Sequence, residues 1–411
     1  MRSKDKKMRI LVLNCGSSSL KYKIIEMPGG KELVWGEAER VGIKTQGLSV
    51  ITHSCLGKKR VIETALADHS QALKKALDLI REDAKKNREI KFDAFAHRYV
   101  HPGNLFTKTT KVDKAVLAKL KETLPLAAIH NPVSYKLIEF CHHEYPAINQ
   151  FVVFDTAFHR TIPREFSTYA LPLKIAKKYG LKKVGFHGIS HRYVMEEACK
   201  FLKKSPSSLK IISCHLGTGG SSICAIDKGI SVNNSMGFTP LEGLVMNTRC
   251  GDIDPGVVFY IMFKERFSSE ETEAILNKKS GILGVFNSSS DLRDAIKDIY
   301  KDKQAKMAFD MYVRRARSYI GFYSLILKKA DILIFTDSLG VGVPVVRENI
   351  CRDLGFLGIR VDKKANDGYS KGIADISLPG SGTKVLVVPT DEEIMIARES
   401  YKELIKDETR R

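Results

Sequence analysis

The chain begins with a run of apolar residues that a polar turn interrupts and an alternating pattern then follows. Residues 10–13 are consecutively apolar, which is typical of a strand in a covered sheet. After the turn, Leu20, Tyr22 and Ile24 alternate with lysines, as in a strand with one exposed face. The pattern predicts a tight β-hairpin. Its turn, CGSSS, presents amides and hydroxyls that suit an anion, and an ordinary solvated turn fits it equally well.

Helical and strand-like segments then alternate through the first half of the chain. Helical spacing relates Leu66, Leu73, Leu77 and Ile80. Residues 113–142 have a helical pattern with an interruption at LPLAAIHNPVS. Two further segments read as strands that run into polar loops, namely FDAFAHRYVHPG and INQFVVFDTAFHRTIP. Because ligands in α/β proteins bind where strands end, these loops are candidate sites.

The strand–turn–strand pattern recurs about two hundred residues after the first one. Residues 209–226, LKIISCHLGTGGSSICAI, again place a glycine-serine turn between two apolar strands. A long helix is expected over residues 303–329, followed by a third strand with a glycine-bearing loop in ADILIFTDSLGVGVPVVRENIC. The recurrence predicts two similar domains, each of which offers its turn to a shared cleft. We expect the last helix, residues 393–409, to pack on the first domain.

Length and composition narrow the class of protein. The 411 residues suffice for two domains with their own cores. No segment approaches the roughly 18 apolar residues of a membrane span, and the basic first residues lack the apolar stretch of a signal peptide. The eight cysteines are scattered with no C-x-x-C pair, so we expect reduced thiols, no structural zinc and a cytoplasmic location.

The formal charge of +20 indicates attraction for anions in general. Much of the excess lies in helix-like stretches, where lysines on a solvated face account for it. The sequence contains no RNP-type aromatic motif, zinc finger or long Lys/Arg block, so neither nucleic acid nor a membrane is expected as a partner.

A series of ten motifs resembles that of the acetate kinases, a family of the sugar kinase, Hsp70 and actin superfamily. The resemblance runs from about residue 8 to residue 400, and its most specific motifs are GFHGISH, SMGFTPLEGL and TRCGDIDP. The remaining motifs are NCGSSSLKY, HRYVHPG, IHNP, FDTAFH, CHLGTGGSS, SSSDLRD and VVPTDEEIMIARE.

The resemblance implies an α/β fold of two duplicated actin/Hsp70-like (ribonuclease H-like) domains that flank an active-site cleft. Residues 8–155 with 394–411 are expected to form an N-terminal acyl and phosphate domain with a returning C-terminal helix. Residues 156–393 are expected to form the domain for the nucleotide or other phosphate donor. A homodimer is also implied.

The implied reaction is the reversible transfer of a phosphoryl group to acetate, which gives acetyl phosphate. Such transfer needs cations that neutralise the spreading charge, and in-line positioning. Arg98 and Arg249 match the two active-site arginines of the family, and guanidinium groups bind carboxylate and phosphate in bidentate fashion. His187 matches its transition-state histidine and Asp155 its catalytic carboxylate. Surface arginines and a strand-terminal cap are the alternatives for these residues.

The family pattern also implies a magnesium site, for which Asn14 and Glu392 supply oxygen ligands, with Mn²⁺ as an alternative ion. His187 and His191 lie four residues apart and could in principle share a metal on one helical face. The sequence has no H-E-x-x-H pattern, so we do not expect metal binding there.

An apolar pocket for the methyl group of acetate is implied around Val100, Ile129, Phe186 and Pro240, with His130 nearby and Arg98 on the carboxylate. A smaller residue than Val100 would make room for longer acyl chains, so valine favours acetate. One methylene is worth only about 1–3 kcal/mol, so propionate should be a poorer substrate.

The resemblance implies a donor site of four segments, two of which depart from the family pattern. The first turn contributes Ser17, Ser19 and Lys21. Two further segments are His215, Leu216, Gly217, Thr218 and Gly219, and Asp291, Leu292 and Arg293. The adenosine loop consists of Ser338, Leu339, Gly340, Val341 and Gly342.

Thr218 replaces an asparagine of the family pattern, Asn247 replaces a glycine, and SLGVG stands in place of GIGEN. These changes all lie on the nucleotide side, and the change to Val341 and Gly342 removes two polar groups that could bind a nucleoside. ATP is the expected donor, with pyrophosphate or phosphate as the alternative; a binding protein without turnover is the competing class. Cys15, beside the first turn, is expected to react with thiol reagents.

Overall fold

A computed structural model describes residues 6–16, 18–43, 47–127 and 130–410. Contacts divide the chain into two compact units, Met1–Ala157 with Asp391–Arg411 (unit 1) and Phe158–Thr390 (unit 2). Each unit is built on one sheet. No helix in the described part of the chain is both long and apolar enough to cross a bilayer.

The strands and helices are numbered in chain order. The strands are β1 (Met8–Cys15), β2 (Ser19–Met27), β3 (Lys31–Glu39), β4 (Ser49–Cys55), β5 (Lys58–Thr64), β6 (Ala94–Tyr99), β7 (Thr110–Lys111), β8 (Asn149–Phe154), β9 (Lys210–Leu216), β10 (Ser221–Asp227), β11 (Ile230–Asn234), β12 (Ile332–Thr336), β13 (Ala374–Asp375) and β14 (Lys384–Val387). The α-helices are α1 (His69–Lys86), α2 (Lys114–Glu122), α3 (Asn131–Glu144), α4 (Arg164–Ser167), α5 (Leu173–Tyr179), α6 (Gly188–Phe201), α7 (Pro255–Glu265), α8 (Ser269–Lys278), α9 (Gly281–Phe286), α10 (Leu292–Asp298), α11 (Lys303–Ile326), α12 (Asp337–Gly342), α13 (Pro344–Cys351), α14 (Lys363–Asp367) and α15 (Glu392–Arg410).

Six strands of the first sheet repeat the order of the second sheet, with β4 and β5 added at one edge, which confirms the duplication predicted from the sequence. In unit 1 the order is β5-β4-β3-β2-β1-β6-β8-β7, and in unit 2 it is β11-β10-β9-β12-β14-β13. The predicted hairpin is present in both, because β1 pairs antiparallel with β2 and β9 pairs antiparallel with β10. The first strand of each hairpin then pairs in parallel with the next strand, β6 or β12.

The first sheet is covered on both faces, and the alternation along β1 decides which residue faces which layer. Leu11, Leu13 and Cys15 pack in one cluster with residues of α1 and α3. Helix α15 packs against β1, β2, β6 and β8. Because side chains alternate along a strand, Asn14 faces α15, whereas its neighbour Cys15 faces the core.

The second sheet is covered in the same way. Ile212, Cys214 and Leu216 of β9 pack with the long helix α11, which occupies the region where the sequence predicts a helix. The alternate residues Ser213 and His215 face α6, where their side chains bind His191 and Ser190. Polar residues of this strand therefore lie on one face of the sheet.

Two details differ from the sequence prediction. Residues 338–342 belong to the short helix α12 rather than to an open glycine-bearing loop. Leu339 of α12 and Val346 of α13 both pack into the core. They anchor the chain before Gly340 and after Gly342, which favours a helix over an open loop. Leu66 is buried but precedes α1, whose N-cap is Asp68.

Candidate active site

In unit 1 the ends of β1, β6 and β8 bring together Asn14, Arg98 and Asp155. Arg98 Nη2 donates to Asp155 Oδ2 at 2.8 Å, and Arg98 Nη1 donates to Asn14 Oδ1 at 3.3 Å. In the parallel pairing Arg98 is level with Val153, so Asp155, two residues further, points to the same face of the sheet. The three polar groups lie together because each follows or ends a buried strand at the same edge.

The first turn of α15 adds carboxylates to this group. Asn14 Nδ2 donates to Glu392 Oε2 at 3.2 Å and to Glu393 Oε1 at 2.8 Å. Burial and the neighbouring charge of Glu392 raise the pKa of Glu393, although Lys23 opposes this. A buried and a partly buried carboxylate beside an amide oxygen supply the oxygen donors that a hard divalent cation prefers, so the residues of this site fit magnesium.

Opposing effects act on the charge of Arg98. Burial disfavours the charged guanidinium, but the carboxylates of Asp155 and Glu392 outweigh burial and raise its pKa. The Arg98 Nε lies 3.8 Å from Glu392 Oε2. Arg98 is therefore a permanent cation whose orientation is fixed by groups on two strands and a helix.

In unit 2, His187 immediately precedes α6 and has a backbone φ of 57°. This left-handed conformation is uncommon for a residue with a side chain. Gly185, two residues earlier, also has positive φ, and a Cβ there would lie 2.8 Å from the ring of His159. The chain turns sharply before α6, and this turn directs the His187 ring toward the β9–β10 hairpin, where Nδ1 lies 2.9 Å from Ser222 Oγ.

Arg249 and His187 meet at the glycine that ends the turn of this hairpin. A Cβ on Gly220 would lie 3.2 Å from Arg249 Nη1 and 3.4 Å from His187 Nε2. Arg249 Nη1 donates to the carbonyl of Pro240 at 3.4 Å, and no carboxylate accepts from it among the described residues. Burial lowers the pKa of Arg249.

The other side of the same turn is held by a contact between His215 and Asp337 that the sequence did not indicate. His215 Nε2 lies 3.0 Å from Asp337 Oδ2, and the His215 ring stacks on that of His187 with centroids 4.2 Å apart. A Cβ on Gly217 would lie 2.0 Å from Asp337 Oδ2. Glycine is therefore required at position 217.

Comparison with known proteins supplies the family. The sequence model of the acetokinase family matches residues 9–398. The chain belongs to this family. It is 45% identical to the acetate kinase of Thermotoga maritima, over 97% of this chain and 99% of that protein. Among solved structures, it resembles the acetate kinase of Porphyromonas gingivalis with a TM-score of 0.87 and 40% identity, over 97% and 100% of the two chains. A propionate kinase of Francisella tularensis has a TM-score of 0.86 and 36% identity, over 95% and 98%.

Two of the departures from the acetokinase pattern contact each other. The backbone N–H of Thr218 donates to Ser338 Oγ at 3.1 Å. Ser338 therefore occupies an amide of the predicted phosphate turn, which a glycine at this position could not do.

The remaining predicted donor residues differ in what their side chains can contact. Leu216, Leu292 and Leu339 are buried in the core, which leaves only their backbones for a ligand. Asp291 caps α10 and pairs with Arg293, whose guanidinium lowers the pKa of the Asp291 carboxyl. The carbonyls of Gly340 and Val341 accept from the buried guanidinium of Arg347.

The predicted acyl wall is divided between the two units. Val100 and His130 belong to unit 1, whereas Phe186 and Pro240 belong to unit 2. Val100 and Phe186 are buried. Ile129 and Ser17 lie outside the described residues. Ser19 is the first residue of β2. Lys21 pairs with Asn14 across the hairpin, and its Nζ lies 3.8 Å from Glu37 Oε1.

The structure contradicts the expectation that Cys15 reacts with thiol reagents. Its side chain packs in the core with α1 and α3. Burial raises its pKa to about 12, although the charge of Arg98 opposes this. A thiol that is buried and protonated is a poor nucleophile.

A shared metal on His187 and His191 is also incompatible with the contacts of His191. Both ring nitrogens of His191 are bonded, Nδ1 to Ser213 Oγ and Nε2 to Ser222 Oγ, each at 2.9 Å. Within the described ranges there is no cluster of three or more His, Cys, Asp or Glu side chains that could hold a metal ion.

Sequence reasoning missed Asp337, Glu393 and Ser222, which contact the predicted residues directly. Glu393 directly follows Glu392, a predicted metal ligand, and Ser222 lies in the motif CHLGTGGSS. Both residues could therefore have been found from their neighbours in the sequence. Asp337 follows the end of β12, as Asp155 follows the end of β8, but it lies in no motif to which a role was carried over.

Proposed function

We propose that this protein is an acetate kinase that transfers a phosphoryl group reversibly between ATP and acetate, with Mg²⁺, to give acetyl phosphate. The observation that carries the proposal is Arg249, a half-buried guanidinium with no carboxylate partner among the described residues, adjacent to a glycine turn and to His187. Burial of a cation without a counter-ion is unfavourable unless an anionic ligand binds it.

The residues of unit 1 fit the recognition of a carboxylate. Arg98 keeps its charge because Asp155 and Glu392 lie close, and its orientation is fixed by Asn14 and Asp155. We assign Arg98 to acetate binding and Asp155 to holding and polarising it. In unit 2, Arg249 and His187 are assigned to the phosphoryl group, whose charge spreads in the transition state.

Asn14 and Glu392 would hold Mg²⁺ in the acetate kinase. When bound, the ion would supply positive charge to offset that of the donor phosphates. In the protein itself, Glu393 keeps the amide of Asn14 oriented through its hydrogen bond at 2.8 Å, so the oxygen of that amide points away from Glu393. Manganese is the expected substitute ion, because it also prefers oxygen ligands.

The proposal is tested by the formation of acetyl phosphate, trapped as the hydroxamate, from acetate, ATP and MgCl₂. We expect turnover in the wild type, and none when the metal is removed by chelation. A wild-type protein that binds nucleotide but forms no acetyl phosphate would favour the competing class, a binding protein without turnover.

A second candidate is an acetate kinase whose donor is pyrophosphate or, in reverse, phosphate. The hydrogen bond from the Thr218 amide to Ser338 Oγ favours it, because that amide is then unavailable to a nucleotide phosphate. The change of Glu and Asn to Val341 and Gly342 removes two further polar groups. Losing a few hydrogen bonds of about 1 kcal/mol each weakens ATP binding by roughly ten- to a hundredfold.

The two donors are distinguished by parallel rates with ATP, GTP and pyrophosphate, and in reverse with ADP and phosphate. Saturation by ATP in the micromolar-to-millimolar range without pyrophosphate activity would eliminate the second candidate. We keep ATP as the primary proposal because the backbone N–H groups of Ser338 and Leu339, in the first turn of α12, have no acceptor within the helix and do not depend on the side chains that have changed.

We assign the acyl and phosphate role to the N-terminal unit and the donor role to the C-terminal unit. The side chains of Arg98, Asp155, Asn14 and Glu392 support the first role, and the turn at residues 217–220 supports the second. Cytoplasm is the proposed location, because all eight cysteines are free thiols, as expected in a reducing compartment.

A homodimer is proposed from an exposed apolar helix in unit 2. None of the residues of α7 is buried, and Phe259, Tyr260 and Phe263 are 70%, 62% and 78% exposed. Residues 255–263 carry no charge, so the same helix of a second copy could cover them without burying an ion.

The dimer is tested by light scattering after size exclusion. We expect a dimer for the wild type and a monomer for Phe263→Glu. Tyr300→Glu is the matched control, because Tyr300 is 94% exposed but lies outside α7. A monomeric wild type would disprove the dimer.

A further inference from the structure

Two serines and a second histidine connect the candidate catalytic histidine to the interior of unit 2. Ser222 Oγ lies 2.9 Å from His187 Nδ1 and 2.9 Å from His191 Nε2. His191 Nδ1 lies 2.9 Å from Ser213 Oγ. These four side chains, His187, Ser222, His191 and Ser213, are called the histidine relay below.

The hydroxyl of Ser222 carries one proton and has a histidine nitrogen on each side. It can donate to only one of them, so the other nitrogen must itself carry a proton and donate to the Ser222 oxygen. Two arrangements follow. In one, Ser222 donates to His187 Nδ1; in the other, Ser222 donates to His191 Nε2.

His191 has one ring proton at neutral pH. It is fully buried, and burial keeps its pKa well below the usual range, with the nearby rings of His159 and His215 acting in the same direction. If His191 Nε2 carries the proton, His191 Nδ1 is an acceptor. If Nδ1 carries it, the direction of every bond in the histidine relay is reversed.

Ser213 decides between the two directions. It is fully buried, and His191 Nδ1 is its only hydrogen-bond partner among the side chains and backbone that the structure describes. In the reversed arrangement the Ser213 oxygen would accept from His191, and its own buried proton would have no acceptor. A buried donor without an acceptor is unfavourable, so Ser213 donates to His191.

We infer that Ser213, His191 and Ser222 are positioning residues that fix His187 as the tautomer with its proton on Nε2. Ser213 donates to His191 Nδ1, His191 Nε2 donates to Ser222, and Ser222 donates to His187 Nδ1. His187 Nε2–H is then the group directed toward Gly220 and Arg249, where a Cβ on the glycine would lie 3.4 Å from Nε2. The inference rests on the proposed function, in which His187 donates a hydrogen bond to the transferring phosphoryl group.

The stack of His215 on His187 and the guanidinium of Arg249 favour the same state. The guanidinium of Arg249 would repel a positive charge on His187 and so favours its neutral ring, and the stacked ring of His215 leaves Nε2 of His187 on the side of Gly220. A neutral His187 has one proton to place, and the histidine relay places it on Nε2.

The direct test is the long-range ¹H–¹⁵N correlation spectrum of the wild-type protein with ¹⁵N-labelled histidine at pH 7.5. We expect both His187 and His191 to show a protonated Nε2 and an unprotonated Nδ1. The signals are assigned from the spectra of His187→Gln and His191→Gln. A protonated Nδ1 on His187 would overturn the inference, whether or not the protein makes acetyl phosphate.

Kinetics supply the second arm. Ser222→Ala should lower kcat by roughly ten- to a hundredfold, with KM for acetate and for ATP within twofold of the wild type. Ser222→Thr, which keeps the hydroxyl, should restore most of kcat. Ser324→Ala is the control, because Ser324 is a buried serine of α11 whose hydroxyl has no hydrogen-bond partner among the described residues. We expect it to leave kcat unchanged.

The two arms separate the failure of the inference from the failure of the proposed function. An inactive wild type with both histidines protonated on Nε2 would overturn the proposed function but would agree with the proposed role of the histidine relay. An active wild type in which Ser222→Ala keeps its kcat would overturn the histidine relay alone. If Ser222→Ala does not fold, the wild-type spectrum still decides the tautomer.

Discussion

Arg98 Nη2 and Asp155 Oδ2 lie 2.8 Å apart, and Asp155 is almost fully buried beside it. The pair joins the ends of two parallel strands, 57 residues apart in sequence. Replacement of one member alone should destabilise the protein, because the charge that remains is buried and has lost this counter-charge.

Arg98→Ala should weaken acetate binding and also destabilise unit 1, by about 3–5 kcal/mol for a broken buried ion pair. We expect a raised KM for acetate and a lower midpoint of urea unfolding. The double variant Arg98→Ala/Asp155→Ala should recover part of the stability but none of the activity. Equal stability of all three proteins would contradict the structural role of the pair.

Arg249→Ala and His187→Ala should each lower turnover by orders of magnitude, because they act on charge that develops in the transition state. Arg249 has no carboxylate partner among the described residues, so its removal should leave stability nearly unchanged, in contrast to Arg98→Ala. Steady-state kinetics and urea unfolding measure both effects. Near wild-type turnover of both variants would remove them from the site.

Val100→Ala should shift the preference from acetate toward propionate and butyrate. The loss of two methyl groups enlarges the predicted methyl pocket and changes the ratio of kcat/KM by roughly ten- to a hundredfold. Val112→Ala, another buried valine of unit 1, is the control for a general packing defect. If acyl selectivity is the same in both variants, Val100 does not line the pocket.

Ser338→Gly should lower the KM for ATP by about fivefold, because it frees the Thr218 amide, a hydrogen bond worth about 1 kcal/mol. Ser338→Ala separates the hydroxyl from the bulk of the side chain, since it removes only the former. Improvement in both variants assigns the effect to the hydroxyl, and improvement in the glycine variant alone assigns it to bulk. An unchanged KM in both would show that this amide does not contact the nucleotide.

Cys15 should resist modification in the native protein. Burial raises its pKa to about 12, so the thiolate is scarce at pH 8. We expect aromatic disulfide reagents to label Cys15 only after unfolding, as located by mass spectrometry of peptides. Cys250, which is partly exposed, is the internal comparison. Rapid native labelling of Cys15 with loss of activity would contradict the buried position.

A network of Tyr22, His53 and Asp83 should make stability fall with acid. His53 bonds Tyr22 through Nδ1 and Asp83 through Nε2. Burial lowers the pKa of His53 more than Asp83 raises it. The stabilisation is therefore complete above the ordinary histidine pKa of about 6.5 and is lost as pH falls toward the folded-state pKa. Urea unfolding from pH 8 to 5 should show this slope in the wild type and a smaller one in His53→Gln.

Much of the fold is predictable from the sequence because its elements are set by local periodicity. The hairpin at residues 10–24, the repeat at 209–226 and helix α11 all have the alternation or spacing that burial on one or two faces requires. The prediction of an open loop at 338–342 was wrong, since its glycines suggested a turn but Leu339 is anchored in the core. Tertiary packing there overrides a local preference.

The sequence by itself predicted strands that run into the loops of Arg98 and Asp155, and its resemblance to the acetate kinase motifs singled out these two residues and His187 before any coordinates. It could not determine which neighbours hold them, because a hydrogen bond depends on distance in space. Glu393 accepts a hydrogen bond from Asn14, 379 residues away in the sequence. Asn14 and Cys15 are adjacent in β1, but the side chain of Asn14 lies in the candidate site and that of Cys15 in the core. Only the tertiary structure brings Ser213, on β9, to His191, on α6. The inference that His187 carries its proton on Nε2 follows from that contact.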